Sequence, residues 1–243
     1  MVSVAATAPA YATSTCADGA YRVRWANDYT ASSQTAIANR TGTSGSGAVG
    51  NSPLTLTVTN EFAGSVAAGS AGGGVSNMTA SPWNVAGVGA PGLTIMQRVT
   101  TSTLWYNNSL RSPLPTPRSG NYQRVTLTFS RPVWNLKFTV TDIDSNSGQY
   151  QDRIFVSGSP SYAVNSGISG AGSSGSPWQP VNTNQNWDPQ TETQGNVTVD
   201  YTGLPASNTY TITYWNDQSG NLSGDGLQGV FIGTLTFGAE TCA

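Results

Sequence analysis

Apolar and polar residues alternate one for one along nearly every readable stretch of this chain. Val125, Leu127 and Phe129 are interleaved with Arg124, Thr126 and Thr128, and Leu136, Phe138 and Val140 with Asn135, Lys137 and Thr139. The pattern recurs at Val197, Val199 and Tyr201, and again at Tyr210, Ile212 and Tyr214. Successive side chains leave a strand on opposite faces, so a period of two gives one face to a core and one to water. That is the signature of antiparallel sheet. Further strands are expected at 20–26, 54–59, 93–100, 153–157 and 228–237. No window repeats apolar residues at helical spacing for long enough to predict a helix. Many short strands with Gly, Pro and Asn between them predict an all-β chain, an antiparallel β-sandwich of jelly-roll-like form with about ten strands.

The connections are long and rich in Gly and Ser, notably 41–52, 64–76 and 157–177. Stretches of that kind can act as linkers between domains. Against a division, the clearest strands (121–156) lie mid-chain, where either half would need them. The expectation is a single sandwich domain over 16–243, preceded by a residual signal or disordered segment at 1–15. A smaller N-terminal unit ending near residue 115, where SPLPTP breaks the alternation, is the alternative.

Composition removes several function classes. Ser (29), Thr (31), Asn (19) and Gly (28) fill 44% of the 243 positions, and charged residues only 9%. An ordinary soluble domain carries about 25% charge. The absence of His excludes His-based nucleophile systems and His-ligated metals. One Lys and a net charge of −2 argue against a protein that tracks nucleic-acid phosphates. The 37% hydrophobic content is still enough for a core. Cys16 and Cys242 lie at opposite ends, without the short spacing of metal or redox motifs, and are expected to form one disulfide closing the domain. Such a bond persists outside the cytoplasm. The opening MVSVAATAPAYATSTC looks like the tail of an export signal, and no apolar run is long enough to span a membrane.

Among motifs that carry chemistry, the dinucleotide fingerprint occurs by letter at 45–50, 87–92 and 170–175. None is followed by the helix whose N-terminus would hold a pyrophosphate, so all three are read as glycine-rich loops. A glycosidase needs paired carboxylates. Glu61 and Glu192, the latter in a loop beside Trp187 and Asp188, read instead as solvated acids. Lys137 falls on the outward parity of its strand, a surface lysine. Trp83, Trp178 and Trp187 fall in loops, where a planar aromatic can stack on a sugar ring or simply cap the end of a sandwich core.

The densest constellation is FTVTDIDSNSGQYQDRIFVSG at 138–158. Asp142 and Asp144 share the parity of Phe138 and Val140, and Asp152 that of Ile154 and Val156. The carboxylates are therefore expected on the inner side of one rim, where crowded anions need neutralising. With Asn146 as a further oxygen donor, the cofactor expected is Ca²⁺. Asp217 and Asp225 are weaker candidates for a neighbouring position. The competing reading is a wet rim whose Asp residues cap their own turns. The required Gly and closing Glu of a helix–loop–helix calcium loop are absent, so that motif is excluded.

The stretch VTLTFSRPVWNLKFTVTDIDSNSGQYQDRIFVSG resembles a module of large secreted and surface-anchored bacterial proteins of adhesin type, and YTITYWNDQSG…GVFIGTLTF is similar to its closing strands. The resemblance covers 121–158 well and 196–238 loosely. It implies a jelly-roll-like sandwich on the cell surface serving adhesion or display. Three functions remain in view: a non-enzymatic adhesive or glycan-binding module, a structural subunit that self-assembles into a filament or layer, and a glycan-active hydrolase. The partners expected are a glycan or cell-surface ligand, or copies of the chain itself.

Overall fold

The computed structural model describes residues 18–40, 53–100, 120–218 and 226–240. In chain order the strands begin with β1 (Asp18–Val23), β2 (Tyr29–Thr30), β3 (Thr35–Ile37), β4 (Asn39–Arg40) and β5 (Thr55–Ala63). There follow β6 (Val66–Ala68), β7 (Leu93–Val99), β8 (Tyr122–Thr141), β9 (Ser145–Asn146), β10 (Tyr150–Val156) and β11 (Ser161–Val164). The last six are β12 (Ile168–Ser169), β13 (Gln179–Pro180), β14 (Val197–Asp200), β15 (Ser207–Asn216), β16 (Gln228–Ile232) and β17 (Leu235–Glu240). One helical turn, Trp25–Asp28, follows β1, and a short 3₁₀ turn, Gly72–Gly74, follows β6.

Strand β8 organises the sandwich. Its first half pairs with β5 on one side (Val58 opposite Leu127) and β15 on the other (Ile212 opposite Val125). That layer continues outward to β3 and β2, and to β10 and β9. Its second half belongs to the other layer, between β14 (Val199 opposite Phe138) and the successive strands β16 and β17. β17 leads to β1 and β4, β16 to β7 and β6, and β14 to β11. Every ladder is antiparallel, the arrangement the alternation predicts.

The core fills the space between the layers, with Leu56, Leu127, Phe129, Leu136, Phe138, Ile154, Val199, Ile212, Tyr214 and Leu235 buried in one cluster. Burying a side chain of this size contributes about 1.5–3 kcal/mol before entropy is counted. The inward residues of β8 change parity along its length: Val125, Leu127, Phe129 and Val133 are odd, Leu136, Phe138 and Val140 even. Asn135 makes the switch with φ +50, a left-handed conformation that Asn tolerates better than most residues.

Among the described residues seventeen strands replace the expected ten or so. The excess is short pieces within segments read as loops: β6 inside 64–76, and β11 and β12 inside 157–177. Buried backbone groups must find partners, and polar Gly/Ser segments crossing a sandwich edge do so by pairing locally. The stretch 228–237 divides at Gly233, whose amide bonds Thr139 and whose carbonyl accepts the buried Trp25 indole N–H at 2.8 Å. The expected Cys16–Cys242 bridge lies outside the described residues. In sequence, each cysteine is two positions beyond the last described β1–β17 pair, Asp18 opposite Glu240.

Candidate functional site

At the end of β8 the chain turns through Asp142, whose φ is +66. Asx residues are the ordinary exception to the rule that L residues avoid this region. The turn lets Ile143 drop into the core and fixes it through its amide to Gly195 O at 3.0 Å. A side chain at Gly195 would collide with that backbone and with the Trp187 ring, so this close approach requires glycine. Ser145 donates its amide to Gln185 O at 2.8 Å. The β13–β14 connection therefore holds the Asp142–Ser145 segment from outside at two points.

The three acids on this rim differ in their partners. Asp152 is fully buried, and both its oxygens accept: Oδ2 from the Asp144 amide at 3.0 Å, Oδ1 from the Tyr214 hydroxyl at 2.8 Å. Asp144 is 3% exposed and its Oδ2 accepts from the Trp187 amide at 2.9 Å. Asp142 keeps a buried Oδ1 with no hydrogen-bond partner among the described residues.

Burial pushes the Asp144 carboxyl up to about 7, against the pull of the Trp187 amide and the Tyr150 hydroxyl. Asp152 is also raised well above the ordinary carboxylate range, by burial first and the Asp144 charge second. Asp142 is raised by burial and then by the charges of Asp144, Asp152, Asp188 and Glu192. The nearby Arg153 offsets this only in part. It lowers Asp152 slightly, but its guanidinium reaches Asp217 at 3.0 Å, both groups buried. Asp217, the weaker candidate for a neighbouring position, is thus held in an ion pair with Arg153. Asp225 lies outside the described residues.

Asp188 and Glu192 are solvent-accessible loop acids, as expected of Glu192, and their charges also reach Asp142 in this acidic corner. The Asp188 amide donates to Glu192 Oε2 at 2.7 Å, and the Asp188 carboxylate accepts from Gln190 and Thr191. An Asp-Pro step followed by Thr and Glu is a turn-capping signal, and it could have placed the pair together. Asn146 lies half-buried in β9, opposite Tyr150 of β10, and its carbonyl closes the hairpin turn with Gln149 at 2.9 Å. Among the described residues no three acids close around one point tightly enough to make a metal cage by themselves.

The three tryptophans do not form a common platform. Trp178 is a core residue with no exposure; its backbone bridges Ile154 and its ring meets Tyr162 edge-on at 5.5 Å. It cannot stack on a ligand, because the Gly172 turn closes over the indole. Trp187 is partly buried, laid against Gly167 and Gly195, and Trp83 packs beside Phe231 in a separate small cluster. Lys137 is on the outer face as expected, paired with Asp200 at 2.8 Å. Glu61 makes an exposed pair with Arg124. Among the described residues no helix is long and apolar enough to cross a membrane. No protein family, curated protein or solved structure matches the chain.

Proposed function

We propose that the chain is a non-enzymatic module of an extracellular or cell-surface protein, a β-sandwich for adhesion or glycan binding whose acidic rim takes up Ca²⁺. The observation that carries this is the buried Asp142 oxygen, without a hydrogen-bond partner among the described residues, beside two further buried carboxylates. Hard divalent cations favour such oxygen donors. Asp142 and Asp144 have lone pairs to give, the Asn146 amide is close in sequence, and Asp152 positions the loop through its bonds to Asp144 and Tyr214. A bound ion would supply the positive charge that the rim lacks. Sites with few protein ligands bind in the range of about 10⁻⁴–10⁻³ M, which suits calcium outside cells.

The absence of His and the tying of these acids to backbone amides favour a structural role over catalysis. A glycan array probed with calcium present tests the reading. Binding to a defined saccharide class supports it, and silence across plant, host and bacterial polysaccharides counts against glycan recognition. The extracellular placement further predicts a Cys16–Cys242 bridge. Two freely alkylated thiols in folded, unreduced protein would remove that support.

One feature favours a second reading, assembly from copies of the chain. β14 is the only strand neighbour of β11 among the described residues. The Asn165 amide bonds Asn196 O, which makes Ala163–Thr198 and Ser161–Asp200 the bonded pairs of the ladder. Tyr162 and Val164 therefore turn their backbone groups outward, and their side chains are 41% and 40% exposed. The strand carries none of the charges that normally protect an edge. Sedimentation separates the readings: concentration-dependent assembly abolished by Val164→Lys favours copies of the chain, and a monodisperse monomer favours a ligand.

A further inference from the structure

The parity switch in β8 creates a surface feature that alternation alone would bury. Val133 and Leu136 both face the core, so between them one residue too many must be accommodated, and Asn135 absorbs it with φ +50. The ladder to β17 slips at the same place, between Thr236 and Gly238. Trp134 is thereby thrown to the outer face of the layer and lies half-exposed across Gly238. Any side chain at 238 would overlap the indole, so glycine is what lets the ring lie down on the sheet.

Beside this ring is an open groove of about 500 Å³, bordered by Trp134, Asn135, Ala20, Thr236 and Gly238. Its size is within the range of small-ligand sites, about 300–1,000 Å³. Asn135, Ala20 and Thr236 are exposed, so an amide and a hydroxyl flank an aromatic surface and small residues leave the floor open. Among the described residues no Asp, Glu, Lys or Arg lines the groove, and Arg22 of β1 stands opposite Thr236 just beyond it. The nearest outward charge on β8, Lys137, is paired with Asp200.

We propose that this groove binds a neutral saccharide, one pyranose face against the Trp134 indole and its hydroxyls toward the Asn135 amide and the Thr236 hydroxyl. The chemistry selects the class. An aromatic plane matches the apolar C–H face of a sugar, paired donors and acceptors match its hydroxyls, and an uncharged lining gives no compensation to a carboxylated or phosphorylated ligand. The inference rests on the reading of the chain as a glycan-binding module and names the site and ligand class of that module.

Affinity electrophoresis through gels containing hydroxyethylcellulose, xyloglucan, galactomannan or soluble starch, with polygalacturonate as the anionic arm, tests it on the intact chain. The wild type is expected to be retarded by at least one neutral polymer. Trp134→Ala should weaken that binding about tenfold or more, and Thr236→Ala, which removes only an exposed hydroxyl, by about threefold. Retardation of both variants equal to the wild type would overturn the groove while glycan binding stood. Retardation by polygalacturonate alone would overturn the neutral class. No retardation by any polymer would overturn the underlying reading as well.

Discussion

Asn135 and Asp142 stand seven positions apart around the second half of β8, and both hold left-handed backbone, φ +50 and φ +66. At Asn135 the departure happens within a strand flanked on both sides by paired neighbours, and its effect is to move an aromatic outward. At Asp142 it happens where the strand ends, and its effect is to turn a chain rich in carboxylates back over the core. Among the described residues the first region carries no acidic or basic lining; of the cations next to it, Lys137 is paired with Asp200 and Arg22 stands opposite Thr236. The second gathers Asp144, Asp152, Asp188 and Glu192 within electrostatic reach of Asp142. The same backbone device, on one strand, makes a neutral exposed groove at one point and a buried anionic rim at the next. What differs is the partner that the displaced residues meet: the glycine floor of β17 in one case, the β13–β14 connection held by backbone hydrogen bonds in the other.

Between the two regions lies the ordinary strand, and its disruption should cost most. Phe138→Ala empties a buried site facing Val199 and Tyr201 and is expected to lower stability by about 3–5 kcal/mol in urea unfolding. The difference that calcium makes should survive the change, because Phe138 supports the layer rather than the acids. A smaller loss, about 1–2 kcal/mol, is expected for Asn135→Val, since a β-branched residue resists positive φ. Its distinguishing effect is a change in Trp134 fluorescence, and an unaltered spectrum would mean that the bulge does not set the indole. The exposed Lys137–Asp200 pair should matter least. Lys137 holds the Asp200 carboxyl down to about 2, yet Lys137→Met should cost at most about 1 kcal/mol, because surface pairs gain little net energy.

How much of this was legible in the sequence follows from the same comparison. Runs of strict alternation, Val125–Phe129 and Leu136–Val140, gave their strands and their inward faces correctly. Parity carried across Asn135 would have buried Trp134, since nothing in the letters RPVWNLK states which residue absorbs the extra position. Parity also reached Asp144 and Asp152, both buried, and it associated Asp142 with them. It could not see that Asp142 has left the strand, nor that Asp188 and Glu192 return to the same corner from 46 and 50 residues further on. Those are long-range contacts fixed by packing. The tryptophans show what loop position alone leaves undecided. A loop position left stacking on a ligand and capping the core both open, and Trp178, in a loop that bridges β10, is wholly buried.

The acidic rim is the central claim, and its response to pH fixes the sign of the test. The Asp144 carboxyl rises from 3.8 to about 7 on folding, so the folded chain holds that proton more tightly than the unfolded one. Its contribution to stability is complete below about pH 4 and is lost as pH rises through about 7. Asp142 and Asp152 shift in the same direction. The decisive measurement is the thermal midpoint at pH 8 of the wild type and of Asp142→Asn, each in 10 mM calcium and in chelator. Calcium should raise the wild-type midpoint by about 5–10 °C, the shift expected when the ion is present at roughly a hundred times its dissociation constant. Asp142→Asn should melt higher than the wild type in chelator and respond little to calcium. Equal wild-type midpoints with and without calcium, together with an Asp142→Asn chain no more stable than the wild type in chelator, would contradict the account and leave the acids as caps of their own turns.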